Sequence, residues 1–321
     1  MADKMTQNNK IQLAIPSNGA LYESSLNFLS QSGIPVLRSN PRKYSALIPN
    51  LKGVHILFQR TSDITSKVED GSAELGIVGL DRYLELKGQN NNSSILINDL
   101  GFGECSLLLG VPNSWIDVTS LADLIDLTIE FRNKGKTLKI ATKFPKLVKK
   151  HLIDNGINHF KLIRSDGTLE VAPEMGFADI IADISSSGTT MRENNLKTIK
   201  GGTILNSQAI LIGNKKIINS NKSKLELSQM LINTIDSHIY ASQSYILTAN
   251  LNVNDTNKII KKLNSLIIDP KISISDLYSP SKEKLYKLEL IINKAELLLV
   301  INTIKKSGAT NIKVYKPEYL F

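Results

Sequence analysis

The segment DISSSGTTMR at 183–192 carries the strongest chemical signal in the chain, because it follows directly on the apolar run ADIIADI. Serine, glycine and threonine at a strand-to-helix turn leave backbone N–H groups free, add hydroxyl donors and aim the start of a helix at an anion. A monophosphate fits such a nest, whose wall is Ser185, Ser186, Ser187, Gly188, Thr189 and Thr190. Asp183, at the strand's end, is placed to accept hydrogen bonds from sugar hydroxyls near that phosphate. The competing reading is a plain serine-rich turn in which Thr189 or Thr190 caps a helix. Walker-type chemistry is not expected, since no Gly-Lys-Ser/Thr follows the segment.

Other reactive side chains are few. Cys105 stands alone in the apolar run CSLLLGV, which excludes an internal disulfide and a cysteine-based metal cluster and suggests a buried strand thiol. His55, His151, His159 and His238 show no metal-ligand spacing. Only seven of the 39 basic residues are arginines (38, 42, 60, 82, 132, 164 and 192), and the guanidinium is the better fork for phosphate, so these seven come first among the cations.

The elements that must position these groups alternate. IQLAIP (11–16), VHILF (54–58) and ELGIVG (74–79) read as strands, with helices at 22–31 and 64–69 between them. SSILINDL and CSLLLGV are extended, separated by GFGE. The pattern restarts with a helix at 121–133, the strand LKIAT, a helix at 146–154, the strand HFKLI, the run into 183–192 and the strand AILIGN near 209–214. Two α/β units joined by crossing strands resemble periplasmic binding proteins of the second type. The expected division is a loose tail at 1–10, lobe I at 11–100 plus 200–220, and lobe II at 101–199. A linker helix at 221–245 leads to a βαββαβ unit at 246–321, the ferredoxin-like order of small ligand-sensing, ACT-like domains.

Composition narrows the functional classes. The length of 321 residues suits two or three domains, and 41% hydrophobic with 21% charged residues is an ordinary globular balance. The net charge of +9 would suit a polyanionic substrate or nucleic acid. Its cations are spread along the chain without a basic tail or interleaved aromatics, so no nucleic-acid partner is expected. No apolar run reaches the roughly 18 residues of a membrane span, so neither membrane nor export is expected and the compartment is read as cytoplasmic.

The stretch 164–196, RSDGTLEVAPEMGFADIIADISSSGTTMRENNL, resembles the signature region of ATP phosphoribosyltransferases, the family that opens histidine biosynthesis. PSNGAL (16–21), RTSDI (60–64), GIVG (76–79) and KIATKFP (139–145) are similar to further family segments, and the closing βαββαβ unit resembles the regulatory domain of the long forms. The resemblance implies that N1 of the ATP adenine attacks C1 of phosphoribosyl pyrophosphate and expels pyrophosphate held by magnesium. Such a reaction is served by positioning and electrostatic clamping and needs no nucleophilic side chain.

It further implies that Glu170 and Asp183 hold the ribose hydroxyls, and that Arg60, oriented by Asp63, meets the triphosphate or pyrophosphate. Gly19 and Gly79 frame the same phosphates, while magnesium comes with the substrates and has no dedicated protein cage. The chain departs from the family at Asn18 and Ala20, where a Lys and an Arg are common; Arg38, Arg42 and Lys43 are the candidate replacements. A homo-oligomer, a hexamer in long forms, and inhibition by histidine complete the implied picture, with KISISDLYSP (271–280) and Asp276 as the expected effector region. The alternative from another class is a two-lobed protein that binds or senses a small anion without turning it over.

Overall fold

The computed structural model describes residues 10–40, 42–88, 92–164, 169–267, 271–277 and 285–321, with the side chains of 253–255 excepted. It divides into two compact units, Met1–Gln229 and Met230–Phe321.

The first unit holds two sheets. One is built from β1 (Ile11–Pro16), β2 (Ser45–Leu47), β3 (Val54–Gln59), β4 (Leu75–Gly79), β5 (Ser94–Ile97) and β11 (Ala209–Gly213), in the order β2-β3-β1-β4-β11-β5. β1 runs parallel to β3 and β4, and β11 antiparallel to β4 and β5. Its helices are α1 (Ala20–Gln31), α2 (Thr61–Glu69) and α3 (Leu80–Leu86). Ile64 and Val68 of α2 pack with Ala14, Val78, Tyr83, Ile210 and Ile212 in one buried cluster. The buried run of β4, apolar throughout, is what a strand covered on both faces requires.

The second sheet has β6 (Cys105–Pro112), β7 (Leu138–Thr142), β8 (Phe160–Arg164), β9 (Ile180–Ser185) and β10 (Leu196–Ser207), in the order β10-β6-β9-β7-β8. α4 (Leu121–Asn133) opens on a capping box, in which Ser120 and Asp123 exchange hydrogen bonds. α5 (Pro145–Asp154) has proline at its first position, where no N–H is missed. Leu107, Leu109, Ile140, Phe144, Val148 and Ile180 form the core beneath them.

The chain crosses between the sheets twice, from β5 to β6 and from β10 to β11, and the crossings are tied together. Leu100 N–H donates to Ala209 O at 3.0 Å, and Ala209 N–H to Phe102 O at 3.0 Å. This is the two-lobed architecture of type II periplasmic binding proteins. The 199/200 division expected from the sequence falls inside β10, which stays paired with β6 as far as Ser207. Ladder pairing, not the return of apolar residues, sets where the chain leaves the second sheet. The short edge strand β2 and the helix α3 have no counterpart in the sequence reading.

α6 (Thr189–Glu193), α7 (Lys215–Ile218) and the start of α8 (Lys222–Ser242) complete the first unit. The second unit carries the rest of α8, then β12 (Ser244–Asn252), α9 (Val253–Leu266), β13 (Lys271–Leu277), β14 (Leu285–Asn293), α10 (Leu297–Lys306) and β15 (Thr310–Tyr315). Its antiparallel sheet runs β13-β14-β12-β15, the ferredoxin-like order. Leu247, Ala249 and Leu251 alternate inward along β12 against Ile259, Leu263, Val300 and Ile304 of the two helices.

Candidate active site between the two sheets

β9 delivers its last residues into the turn that starts α6. Gly188 is the N-cap there with φ 71°, a left-handed conformation that favours glycine. Its N–H donates to Ser185 Oγ at 2.7 Å, while the Ser187 and Thr189 hydroxyls lie 2.9 Å apart. Neither threonine caps the helix through its side chain. The Arg192 guanidinium folds back over the turn, donating to Ser187 O at 3.1 Å and Thr189 Oγ1 at 3.2 Å. Ser185, Ser186, Ser187, Gly188 and Arg192 line a cavity of about 650 Å³. Thr189 and Thr190 are exposed. Arg192 is the member of this group that reading the residues one by one passed over, although it closes the quoted segment.

Asp183 lies half-buried in β9, paired with Leu108, and accepts the Ile184 N–H at 2.9 Å. Burial pushes its carboxyl above the usual range; the Ile184 N–H and the Lys143 charge pull it down, Glu170 pushes it up and Arg82 pulls it down. Glu170, Lys143 and Arg82 thus lie within electrostatic reach of Asp183, and the two cations were absent from the expected set.

Facing lobes share a second cavity of about 450 Å³. Asn18, Arg60, Arg82 and Glu85 enter it from the first sheet, and Lys143 and Arg164 from the second. Among the described residues, four cations and one carboxylate make this a place for polyanions. Arg60, the N-cap residue of α2, is among them. Asp63 accepts the Ser62 hydroxyl at 2.9 Å and donates its backbone N–H to Arg60 O at 2.8 Å. Arg38 is committed elsewhere, 3.9 Å over the Phe58 ring and bonded to Tyr22 Oη and Lys43 O. Neither Arg38, Arg42 nor Lys43 is part of this cavity's lining.

The two framing glycines differ. Gly19 has φ 80° at the N-cap of α1, with open space where a Cβ would stand. Gly79 is buried, and a Cβ there would collide with the Asp81 carboxylate. Its lack of a side chain makes room for the Asp81 carboxylate. Asp81 in turn accepts the Ser207 hydroxyl; burial, and then the Asp81 charge, push the Cys105 thiol up. A thiol held protonated is a poor nucleophile, as its strand setting suggests. His151, near the end of α5, is pushed down by burial. Among the described residues, no group of three or more His, Cys, Asp or Glu could hold a metal ion. None of the described helices is long and apolar enough to cross a membrane.

Residues 60–237 match the family model HisG, ATP phosphoribosyltransferase. The chain is 34% identical over 325 residues to ATP phosphoribosyltransferase 2, chloroplastic, of Arabidopsis thaliana, covering 97% of this chain and 77% of that one. It is 38% identical over 209 residues to the ATP phosphoribosyltransferase of Mesorhizobium japonicum, covering 64% of this chain and 90% of that one. The plant match takes in the second unit. Among solved structures, the ATP phosphoribosyl transferase complex of Thermotoga maritima aligns with a TM-score of 0.52 at 22% identity, over 70% of this chain and 98% of that one, a likeness of fold. Over most of its length, then, this chain belongs to the ATP phosphoribosyltransferase family.

Proposed function

We propose that the cleft between the two sheets is where this transferase carries out the first step of histidine biosynthesis. The observation that carries the assignment is the cationic cavity lined from both lobes, whose Lys143 and Arg82, with Glu170, lie within electrostatic reach of Asp183 on the strand that ends in the Ser/Gly/Thr turn. The 5′-phosphate of phosphoribosyl pyrophosphate is assigned to the turn and its hydroxyls. The ribose hydroxyls go to the two carboxylates, and the pyrophosphate and ATP phosphates to the cationic cavity.

In this arrangement N1 of adenine supplies the electron pair to C1 of the ribose as the C1–O bond to pyrophosphate breaks. The carboxylates favour the positive charge that develops on the sugar, and the cations favour the negative charge that leaves with pyrophosphate. Holding both substrates in line supplies the rest of the acceleration. Magnesium enters bound to the substrate phosphates, whose oxygens suit a hard cation. No step requires an activated nucleophile from the protein.

The second unit, ferredoxin-like and without a phosphate-binding turn among its described residues, is proposed as the histidine-responsive part of a homo-oligomer, a hexamer by the family resemblance. The proposed compartment is the cytoplasm, where phosphorylated substrates are available; the plant relatives carry the description chloroplastic. Mixing the protein with ATP, magnesium and phosphoribosyl pyrophosphate should release pyrophosphate and shift the adenine absorbance. Release of pyrophosphate without a new adenine chromophore would indicate hydrolysis and overturn the assignment.

A further inference from the structure

Arg82 and Glu85 stand three residues apart on α3, so their side chains share a face of that helix. Glu85 accepts the backbone N–H groups of Lys146 and Leu147, each at 2.9 Å. Those N–H groups need an acceptor from elsewhere: Phe144 precedes α5 and offers no capping side chain. A carboxylate on the first sheet's helix thus caps a helix of the second sheet. Lys146 Nζ donates to Lys87 O at 3.1 Å and ties the same two helices again.

One turn earlier, the Arg82 guanidinium lies 4.3 Å over the ring of Phe144. It also lines the cavity shared with Asn18, Arg60, Lys143 and Arg164. A guanidinium stacked on an aromatic face keeps its in-plane N–H groups free for two oxygens of one phosphate. The Asn18 turn contributes an amide and no charge to this cavity. Glu85, its one carboxylate among the described residues, already faces two N–H donors. The cavity therefore keeps an excess of positive charge, part of it on Arg82.

On the strength of the reading under Proposed function, we propose that Arg82 binds the polyphosphate of a substrate, and that Glu85 is the positioning residue that docks α3 on α5 so that Arg82 faces Lys143 across the cleft. The recognised chemistry is a magnesium-bound polyphosphate, either the triphosphate of ATP or the pyrophosphate that leaves. The Arg82 charge also acts on Asp183, in keeping with this role.

The test is calorimetric titration of the full-length protein with magnesium pyrophosphate and, separately, magnesium ATP. Arg82→Gln should weaken one of the two about 10- to 150-fold, the range for a lost hydrogen bond to a charged group, and the affected ligand names the source. Glu85→Ala should weaken the same ligand, and the double variant should bind it no more weakly than Arg82→Gln alone. Unchanged affinity for both ligands in Arg82→Gln overturns the phosphate role, and additive losses in the double variant overturn the positioning role. Should Arg82→Gln fail to fold, Arg82→Lys takes its place: loss of the fork weakens the ligand several-fold, and wild-type affinity overturns the proposal. A wild-type protein that releases no pyrophosphate from its substrates defeats the functional reading beneath; an active wild type with an indistinguishable Arg82 variant defeats only this inference.

Discussion

The Ser207 hydroxyl donates to Asp81 Oδ1 at 2.6 Å and accepts the Asp81 backbone N–H at 3.0 Å. Asp81 and Ser207 are 4% and 3% exposed, so water does little to share the load. The pair fastens the start of α3 to the last residue of β10, where the chain crosses between sheets. Ser207→Ala removes the donor from a buried carboxylate, a loss of about 1.5–3 kcal/mol. The urea midpoint of the variant should fall accordingly. An unchanged midpoint would show that the hydroxyl does not anchor the carboxylate.

Asp183 allows a prediction in which stability and activity part company. Burial raises its folded-state pKa above the unfolded value, so the native state holds the proton more tightly than the unfolded chain does. Keeping Asp183 ionised therefore costs stability above the raised pKa, and the cost fades as pH falls through it. Asp183→Asn should raise the unfolding temperature near neutral pH while lowering turnover about 10- to 150-fold, the effect of losing a charged hydrogen-bond partner. The wild type should lose kcat/KM on the acid side at a pH above the ordinary carboxylate range. A variant that is both destabilised and fully active would contradict the assignment.

Arg60→Lys keeps a charge in the cavity and removes the planar fork. If Arg60 grips a phosphate with two N–H groups, KM for ATP or for phosphoribosyl pyrophosphate should rise several-fold with little change in the unfolding midpoint. Steady-state kinetics at two salt concentrations checks this, since a screened surface charge would respond to salt more than to the substitution.

The sequence made 183–192 legible because an apolar strand running into Ser, Gly and Thr has few uses other than a turn with spare N–H groups. The two sheets were legible from strand periodicity. α3 was not: LDRYLEL is short and follows a strand directly, so its apolar positions look like an extension of β4. Arg82 and Glu85 were missed with it, since their meaning lies in Phe144 and the N–H groups of Lys146 and Leu147, some 60 residues further along the chain. Gly79 was legible only as a strand exit; that the Asp81 side chain also needs the space beside it shows only in the folded chain.

The last prediction is that free L-histidine inhibits the enzyme through the second unit, and its test depends on where the chain is cut. A cut near residue 222 would delete Lys224, whose ammonium lies 2.6 Å from Glu74 Oε1. Glu74 is 4% exposed and also accepts the Gln12 N–H at 2.7 Å. Stripped of its partner, that buried carboxylate would destabilise the first unit by about 3–5 kcal/mol, and lost activity would then say nothing about regulation. A chain ending at Gln229 keeps the pair. Asp276, exposed on β13 opposite Tyr286, is the side chain to vary in the full-length protein, and the rest of its expected region, 278–280, lies outside the described residues. Inhibition requires histidine to favour one arrangement of the assembly over another, because equal affinity for both shifts nothing. The full chain should lose activity with millimolar histidine, the shortened chain should not, and Asp276→Asn should raise the concentration required. Equal sensitivity of the shortened chain would move the effector site into the two-sheet unit, and an insensitive full chain would refute the regulatory reading.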